Sequence, residues 1–212
     1  MTTTSGQKCA FNFTGCRALS DSEIDKILGE MTGRFGLRDR AIFIFGCKTG
    51  FRIAEILSLR VRDIFDGEAI RDAVTIAGKN LKGGKRYALK SRSMPMHMAA
   101  KEAIRAWLRM SKMDHPFYAN YPLFPAQGHA TPLNPKQYWA IFKAAARRSG
   151  IDCEHVATHS MRKCLASRAW ASPQIHGDLC ALAAVLGHRD PATSARYVRF
   201  ADGALESVVL SL

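Results

Sequence analysis

Residues 158–163 read Thr-His-Ser-Met-Arg-Lys, residues 186–190 read Leu-Gly-His-Arg-Asp, and a tyrosine follows at position 197. His159 and Arg162 are three positions apart, so on a helix their side chains project from the same face. The glycine of the second stretch can end one helix directly before its histidine, and Tyr197 falls inside the next helical pattern. Two imidazoles, a guanidinium and a phenol therefore follow one another in an order that suits attack on a phosphodiester.

The chain before these stretches begins with a helical pattern. A capping box at residues 20–23 (Ser-Asp-Ser-Glu) predicts the start of a first amphipathic helix. A second helix is predicted over about residues 37–47, and its Ile-Phe-Ile-Phe run is apolar all round, which predicts burial. A third helix is predicted from Arg52 to about Leu59.

One region favours β structure. Residues 74–76 (Val-Thr-Ile) and a segment ending near residues 93–95 flank residues 82–85, Lys-Gly-Gly-Lys, whose glycines suit a tight hairpin turn. A short strand at residues 63–65 would complete a three-stranded antiparallel sheet.

The rest of the chain is helical in pattern apart from a Pro-rich loop at residues 113–133. One of these helices is predicted to be capped by Asn134, with Pro135 at its first position, and closed by Gly150. The predicted fold class is α+β, predominantly helical with a small three-stranded antiparallel sheet. The remaining helices are predicted at about residues 98–111, 159–171, 176–186, 191–199 and 204–210.

The chain length and the net charge limit the functions that this protein can have. The 212 residues suffice for one well-packed domain, and we expect a flexible polar arm at residues 1–18 followed by that domain at 19–212. A net charge of +13 attracts polyanions, which favours nucleic acid as the partner. A basic surface that only aids solubility, or a ribosome-associated protein without catalysis, is the alternative.

The six cysteines include no C-x-x-C pair, so we predict no zinc site, no other metal and no cofactor. Cys47, Cys164 and Cys180 occur in apolar helical stretches and are predicted to be small buried residues. The N-terminus lacks an apolar core of signal-peptide length, and no window is long enough to span a bilayer. These features predict a soluble cytoplasmic protein.

Metal-free cleavage of DNA needs a nucleophile, cations around the phosphate and an acid for the leaving oxygen. The planar guanidinium of arginine can donate two parallel hydrogen bonds to phosphate oxygens, where charge grows in the transition state. Arg52 and Arg162 are the candidates for this role. Taken alone, each is also explained as a surface side chain, since H-x-x-R is a common pattern and an arginine at a helix start is usually solvated.

Four stretches together resemble the tyrosine recombinases of the phage-integrase family, from about Leu19 to Arg199. They match the family patterns T-G-x-R-x-x-E, H-x-x-R, L-G-H and T-x-x-x-Y, in that order, at residues 49–55, 159–162, 186–188 and 193–197. The family often carries a second histidine directly after the second arginine, whereas here Lys163 makes that position more positive.

The resemblance implies a role for each matched residue. Arg52 and Arg162 would bind the phosphate, His188 would donate a hydrogen bond to it, and Tyr197 would be the nucleophile. Glu55 would hold a neighbouring cation; its alternative is an ordinary solvated pair with a residue one turn away. The alternative for His188 is a capping residue after a glycine-ended helix. The implied catalytic set is Arg52, Lys82, His159, Arg162, His188 and Tyr197.

The family uses a lysine on a β-hairpin turn as the acid for the leaving 5′ oxygen. Lys82 is favoured because Lys-Gly-Gly-Lys resembles the family's hairpin tip. The hairpin is several residues longer than usual, so Lys79 stays an alternative; Lys85 and Lys90 lie in the same region.

The resemblance implies a site-specific recombinase that cuts and rejoins double-stranded DNA through a 3′-phosphotyrosyl intermediate, for integration, excision or inversion. It further implies a monomer in solution and a homotetramer on DNA, in which the apolar tail from Ala204 to Leu212 docks on a neighbouring protomer. A tail that packs within its own domain is the alternative. No separate N-terminal DNA-clamping domain is recognised, so the chain is either a minimal recombinase or a truncated integrase.

Two other functions remain as alternatives. One is a non-catalytic integrase remnant that only binds DNA. The other is a strand-swivelling enzyme of the topoisomerase IB type, which shares the chemistry. The intact residue set favours a recombinase over the remnant, and the T-G-x-R and L-G-H patterns favour it over the topoisomerase.

Overall fold

The computed structural model describes residues 15–81, 90–127, 131–188 and 190–195. These residues form a mostly helical domain with a small antiparallel sheet, which confirms the predicted α+β class in its coarse form. The helices are α1 (Asp21–Glu30), α2 (Gly36–Thr49), α3 (Ile53–Leu57), α4 (Val61–Ile64), α5 (Met98–Ser111), α6 (Pro135–Arg148), α7 (Thr158–Ala171), α8 (Leu179–Leu186) and α9 (Pro191–Ala195); the strands are β1 (Ala73–Ile76) and β2 (Arg92–Pro95).

Helix α2 lies at the centre of the fold. Its Ile-Phe-Ile-Phe run is largely buried as predicted: Ile42, Phe43 and Phe45 have no exposed surface, while Ile44 is half-buried. The helix packs against α5 and α7, which accounts for the burial of these side chains. It ends at Gly50 with φ +63°, where a Cβ atom would lie 2.6 Å from Cδ2 of Leu165 on α7. The core therefore fixes the point from which the chain runs on to Arg52.

The sheet of the described residues contains two strands. β1 and β2 pair antiparallel, with Ala73 opposite Pro95 and Ile76 opposite Arg92. The predicted third strand at residues 63–65 is wrong: residues 61–64 form α4, and Phe65 makes a single bridge to Ile70.

A local hydrogen bond explains the error. The Asp63 carboxylate accepts a hydrogen bond from the backbone N–H of Arg60 at 2.8 Å, which stabilises a helical turn where apolar residues alone favoured a strand. Short aspartate side chains commonly compete with strand pairing in this way.

Helix α8 is shorter than predicted. It begins at Leu179, not at His176, because the Asp178 carboxylate accepts hydrogen bonds from the N–H groups of Cys180 and Ala181 and so caps the helix. Cys180 is exposed, so its predicted burial is wrong. The predicted burial of Cys47 and Cys164 is confirmed.

The C-terminal helices are held by a second, smaller apolar cluster. Ala166 of α7 and Leu182 and Leu186 of α8 are fully buried against one another. This contact fixes the end of α8 relative to α7, on which Arg162 lies. Within the described ranges, no helix combines the length and the apolar character needed to cross a bilayer.

Candidate active site

Arg52 is held by a buried carboxylate. It is the residue directly before α3, and its backbone N–H donates to Oε2 of Glu55 at 2.8 Å while its Nη1 donates to Oε1 at 2.9 Å. The Glu55 side chain is 1% exposed and that of Arg52 is 30% exposed. Glu55 is therefore a buried anchor and not a solvated partner, and it leaves the guanidinium partly open to solvent.

Arg162 joins the ends of two helices. It is fully buried in α7. Its Nη1 donates to the carbonyl oxygen of Gly50, after α2, and its Nη2 donates to that of Leu186, the last residue of α8, each at 2.5 Å. A charged group buried at this depth needs such partners, since its desolvation costs several kcal/mol, on the order expected for an ion in a protein interior.

His188 lies against Arg162. Its Nε2 is 3.0 Å from Nη2 of Arg162, and its Nδ1 is 2.8 Å from the hydroxyl oxygen of Ser194. Because a guanidinium can only donate, Nε2 must accept, which places the single ring proton on Nδ1. From Nδ1 the ring donates to Ser194.

The surroundings keep the His188 ring neutral. Burial, followed by the charges of Arg162, Arg52 and Arg92 and by His159, lowers the pKa of His188 to about 4. Near neutral pH the imidazole therefore carries no charge.

The turn that presents His188 is held by hydrogen bonds to the last four backbone carbonyl groups of α8. The last four carbonyl groups of α8 belong to residues 183–186 and have no partner inside the helix. The N–H groups of His188 and Gly187 bind the first two, in the pattern of a Schellman motif. Nη2 of Arg92 binds the third at 2.6 Å, and Arg162 binds the fourth.

Gly187 has no room for a side chain. Its φ is +65°, a conformation that L side chains rarely adopt, and a Cβ atom there would lie 2.7 Å from Cδ of Arg92. The glycine therefore serves both the helix end and the close approach of strand β2.

The structure brings together four of the predicted site residues. Arg52, Arg162 and His188 act on one another electrostatically, and His159 lies half-buried one helical turn before Arg162. Lys82 and Tyr197 lie outside the described residues, as do Lys85 and the tail from Ala204 to Leu212. The alternative lysines, Lys79 and Lys90, are exposed.

Two residues at the site were missed by sequence reasoning. Ser194 is fully buried and binds His188, although it is an ordinary polar residue in the sequence; its one signal is its position three residues before Tyr197. Arg92 opens strand β2, and no local pattern indicates that its side chain reaches α8. Within the described parts of the chain, no group of three His, Cys, Asp or Glu side chains is arranged to hold a metal ion.

The chain matches the model of the phage integrase family over residues 17–203. This match covers most of the chain, and the protein therefore belongs to that family.

Two curated relatives are tyrosine recombinases. XerD of Caulobacter vibrioides is 28% identical over 205 residues, covering 91% of this chain and 60% of the relative. XerC of Xanthomonas campestris pv. campestris is 33% identical over 162 residues, covering 76% of this chain and 44% of the relative. The chain thus spans about half the length of the curated relatives it matches.

Solved structures share the fold. A XerH site-specific recombinase in a post-cleavage complex with palindromic difH substrate matches with a TM-score of 0.68 at 21% identity, covering 97% of this chain and 56% of that one. The catalytic domain of bacteriophage HP1 integrase matches with a TM-score of 0.54 at 19% identity, covering 92% of this chain and 94% of that domain. These matches identify the fold as that of a recombinase catalytic domain.

Proposed function

We propose that this protein is a site-specific DNA recombinase that cleaves and rejoins strands through a 3′-phosphotyrosyl intermediate on Tyr197. The observation that carries the proposal is the convergence of Arg52, Arg162 and His188 from three separate segments of the chain. Two arginines brought together by folding beside a neutral imidazole favour an anionic ligand, which compensates for the repulsion between the guanidinium groups.

A phosphodiester fits the charge of this site. Arg52 is partly exposed and held in place by Glu55, so its guanidinium can meet an incoming oxygen without losing much side-chain freedom. Arg162 adds a positive charge that is fixed before the substrate arrives. Such preorganised charge stabilises the five-coordinate transition state, in which the non-bridging oxygens become more negative.

His188 would gain a proton when the phosphate binds. In the DNA-free protein its Nε2 accepts from Arg162, and the nearby cations lower the pKa of the ring to about 4. A phosphate anion beside the ring acts in the opposite direction and raises that pKa. Protonation at Nε2 replaces the hydrogen bond from Arg162, and the new N–H then donates to the scissile phosphate.

The chemical steps balance without a metal. The Tyr197 hydroxyl gives its proton to His159, and the phenolate oxygen attacks phosphorus, forming the phosphotyrosyl bond. The bond to the 5′ oxygen breaks, and that oxygen takes a proton from Lys82, with Lys79 as the alternative donor. Attack by a 5′-hydroxyl from a partner strand reverses these steps and frees the tyrosine.

Double-stranded DNA is the proposed partner, and the net charge of +13 supports it through counterion release from the phosphate backbone. Recombination exchanges strands between two duplexes and needs four active sites, so we propose a homotetramer on DNA and a monomer in solution.

The apolar tail from Ala204 to Leu212 would dock on the neighbouring protomer. Deletion of residues 203–212 should then leave a folded protein that binds DNA but does not form the synapse, whereas an unfolded product would favour a tail that packs in its own domain.

Covalent trapping tests the proposed activity. Binding sites are first selected from a pool of randomised duplexes, and a nicked suicide substrate is built from the selected site. The parent protein should form an adduct that survives denaturation, and Tyr197→Phe should form none while binding the same DNA with similar affinity, since only the nucleophilic oxygen is lost. An adduct in Tyr197→Phe, or none with the parent, would contradict the proposal.

A further inference from the structure

Strand β2 reaches the helix that presents His188 through one side chain. Arg92 lies at the start of the strand, paired with Ile76 of β1. Its Nη2 donates to the carbonyl oxygen of Val185 at 2.6 Å, and its guanidinium carbon lies 4.7 Å from the centroid of the Phe51 ring. Phe51 directly precedes Arg52 in the chain. One side chain thus contacts the sheet, the Arg52 segment and the end of α8.

Arg92 and Arg162 act as a pair on the end of α8. They bind the carbonyls of two successive residues, Val185 and Leu186, from opposite parts of the fold, one from the sheet and one from α7. The carbonyl end of a helix carries partial negative charge, so both cations are attracted to it. With both hydrogen bonds in place, no carbonyl at the end of α8 is unpaired, and this restricts movement of the turn at Gly187.

The position of Arg92 is energetically unfavourable for an arginine. Its Nε is buried and has no hydrogen-bond partner among the described residues. Burial and the nearby Arg162 lower its pKa to about 10. An apolar side chain of similar length would fill the same space without these penalties. The cost points to a role in function more than in stability.

We propose that Arg92 is a positioning residue for catalysis, which acts through His188 by fixing the helix end that presents it. The proposal rests on the recombinase function proposed above. Arg92 need not contact DNA in this role, because its effect on the reaction passes through the turn at Gly187. A displacement of about 1 Å at a catalytic group can lower a rate by about 100-fold, so loss of one of two anchors has a measurable effect.

A double-mutant cycle tests this coupling. Arg92→Met keeps the length and the apolar packing against Phe51 and Gly187 but removes the charge and the donor. Single-turnover formation of the covalent adduct is measured on the nicked suicide substrate for the parent, Arg92→Met, His188→Ala and the double variant, together with the Kd for DNA. Arg148→Met is the matched control, because Arg148 also bonds to a main-chain carbonyl, that of Glu30, but joins α6 to α1.

The coupling predicts a specific pattern of rates. Arg92→Met should slow adduct formation by about 10- to 100-fold with a nearly unchanged Kd. In the His188→Ala background the same change should alter the rate by no more than about 2-fold, because the group it positions is already absent. Arg148→Met should leave the rate unchanged in both backgrounds.

Other outcomes are decisive. An equal loss in both backgrounds, or no loss in the parent background, overturns the role of Arg92 and leaves the recombinase function standing. A parent protein that forms no adduct overturns the proposed function itself. Should Arg92→Met not fold, Arg92→Lys takes its place, because it keeps the charge and one donor to Val185. It should slow adduct formation less, and the loss should again disappear in the His188→Ala background. A loss of the same size in that background overturns the proposal.

Discussion

The imidazole of His188 differs from a solvated histidine because its two nitrogens have different, fixed partners. Nε2 accepts a hydrogen bond from Arg162, and the N–H at Nδ1 donates one to the hydroxyl oxygen of Ser194. The positive charges around the ring oppose its protonation, as does its partial burial. At the scale of single residues, the free protein therefore holds His188 in one neutral tautomer that is ready to take up a proton beside an anion.

The protonation state of His188 can be measured directly. We expect its ring resonances to titrate with a pKa of about 4 in the DNA-free protein, and at a higher pH once a phosphodiester is bound. Nuclear magnetic resonance of ring carbons and nitrogens gives the value, with the signal assigned by its loss in His188→Gln. A midpoint near the ordinary value of about 6.5 would contradict this environment.

The same shift has a consequence for stability. The pKa of His188 is lower in the folded protein than in the unfolded chain, so the unfolded state binds more protons between about pH 4 and pH 6.5. The free energy of unfolding should therefore fall as the pH falls through this window. Denaturant titrations at several pH values should show a weaker fall in His188→Gln. Identical pH dependence in both proteins would contradict the assignment.

Helix α9 connects His188 to the segment that carries Tyr197. Ser194 is fully buried in this helix and binds Nδ1 of His188, and Tyr197 follows three residues later in the sequence. At the scale of elements, the hydroxyl therefore links the end of α8 to α9.

Ser194→Ala should show what this link contributes. We expect adduct formation to slow on the order of 10-fold, because His188 loses the partner that orients it, while the Kd for DNA stays nearly the same. Ser149→Ala is the control, since it removes a hydroxyl that donates to the backbone carbonyl of Ala145 directly after α6 and has no bond to His188. Equal rates for Ser194→Ala and the parent would contradict a positioning role for this hydroxyl.

The close approach of Arg92 to Gly187 can be separated from backbone strain. Gly187 and Gly150 have φ values of +65° and +70°, but a Cβ atom at Gly187 would meet Arg92 at 2.7 Å, whereas nothing lies within 4 Å at Gly150. Replacement by alanine should cost about 1–2 kcal/mol at either position through the left-handed backbone. Gly187→Ala should lose more stability than Gly150→Ala in denaturant titrations and should alone reduce cleavage. Equal losses of stability in the two variants would mean that the Arg92 side chain moves away from the new Cβ atom at no cost.

Periodicity and capping predicted most helices of this fold because those signals are local. Asn134 does cap α6, with its side chain accepting from the N–H of Lys136 at 2.8 Å. The strand expected at residues 63–65 failed because one Asp63 hydrogen bond outweighed an apolar pattern. At the site, Arg52, Arg162 and His188 were predicted by motif. Arg92 and Ser194 were not, since their contacts join residues that are distant in sequence or ordinary in type.

At the scale of the whole molecule, a mostly apolar core supports a strongly basic protein. Helix α2 and the small cluster between α7 and α8 fix the segments that carry Arg52, Arg162 and His188. The net charge of +13 follows from the amino-acid composition alone, and it predicts an anionic partner. Composition does not predict the arrangement of the arginines, because that arrangement depends on how three distant segments pack.

The central claim is that these cations serve a covalent attack by Tyr197, and the attachment point of the trapped DNA tests it most directly. The adduct with the nicked suicide substrate is formed in the presence of EDTA, digested with a protease and a nuclease, and analysed by tandem mass spectrometry. We expect the nucleotide to be linked through a 3′ phosphate to the Tyr197 oxygen, at full yield without metal. Attachment at another residue, or cleavage that stops on chelation and leaves no adduct, would contradict the account.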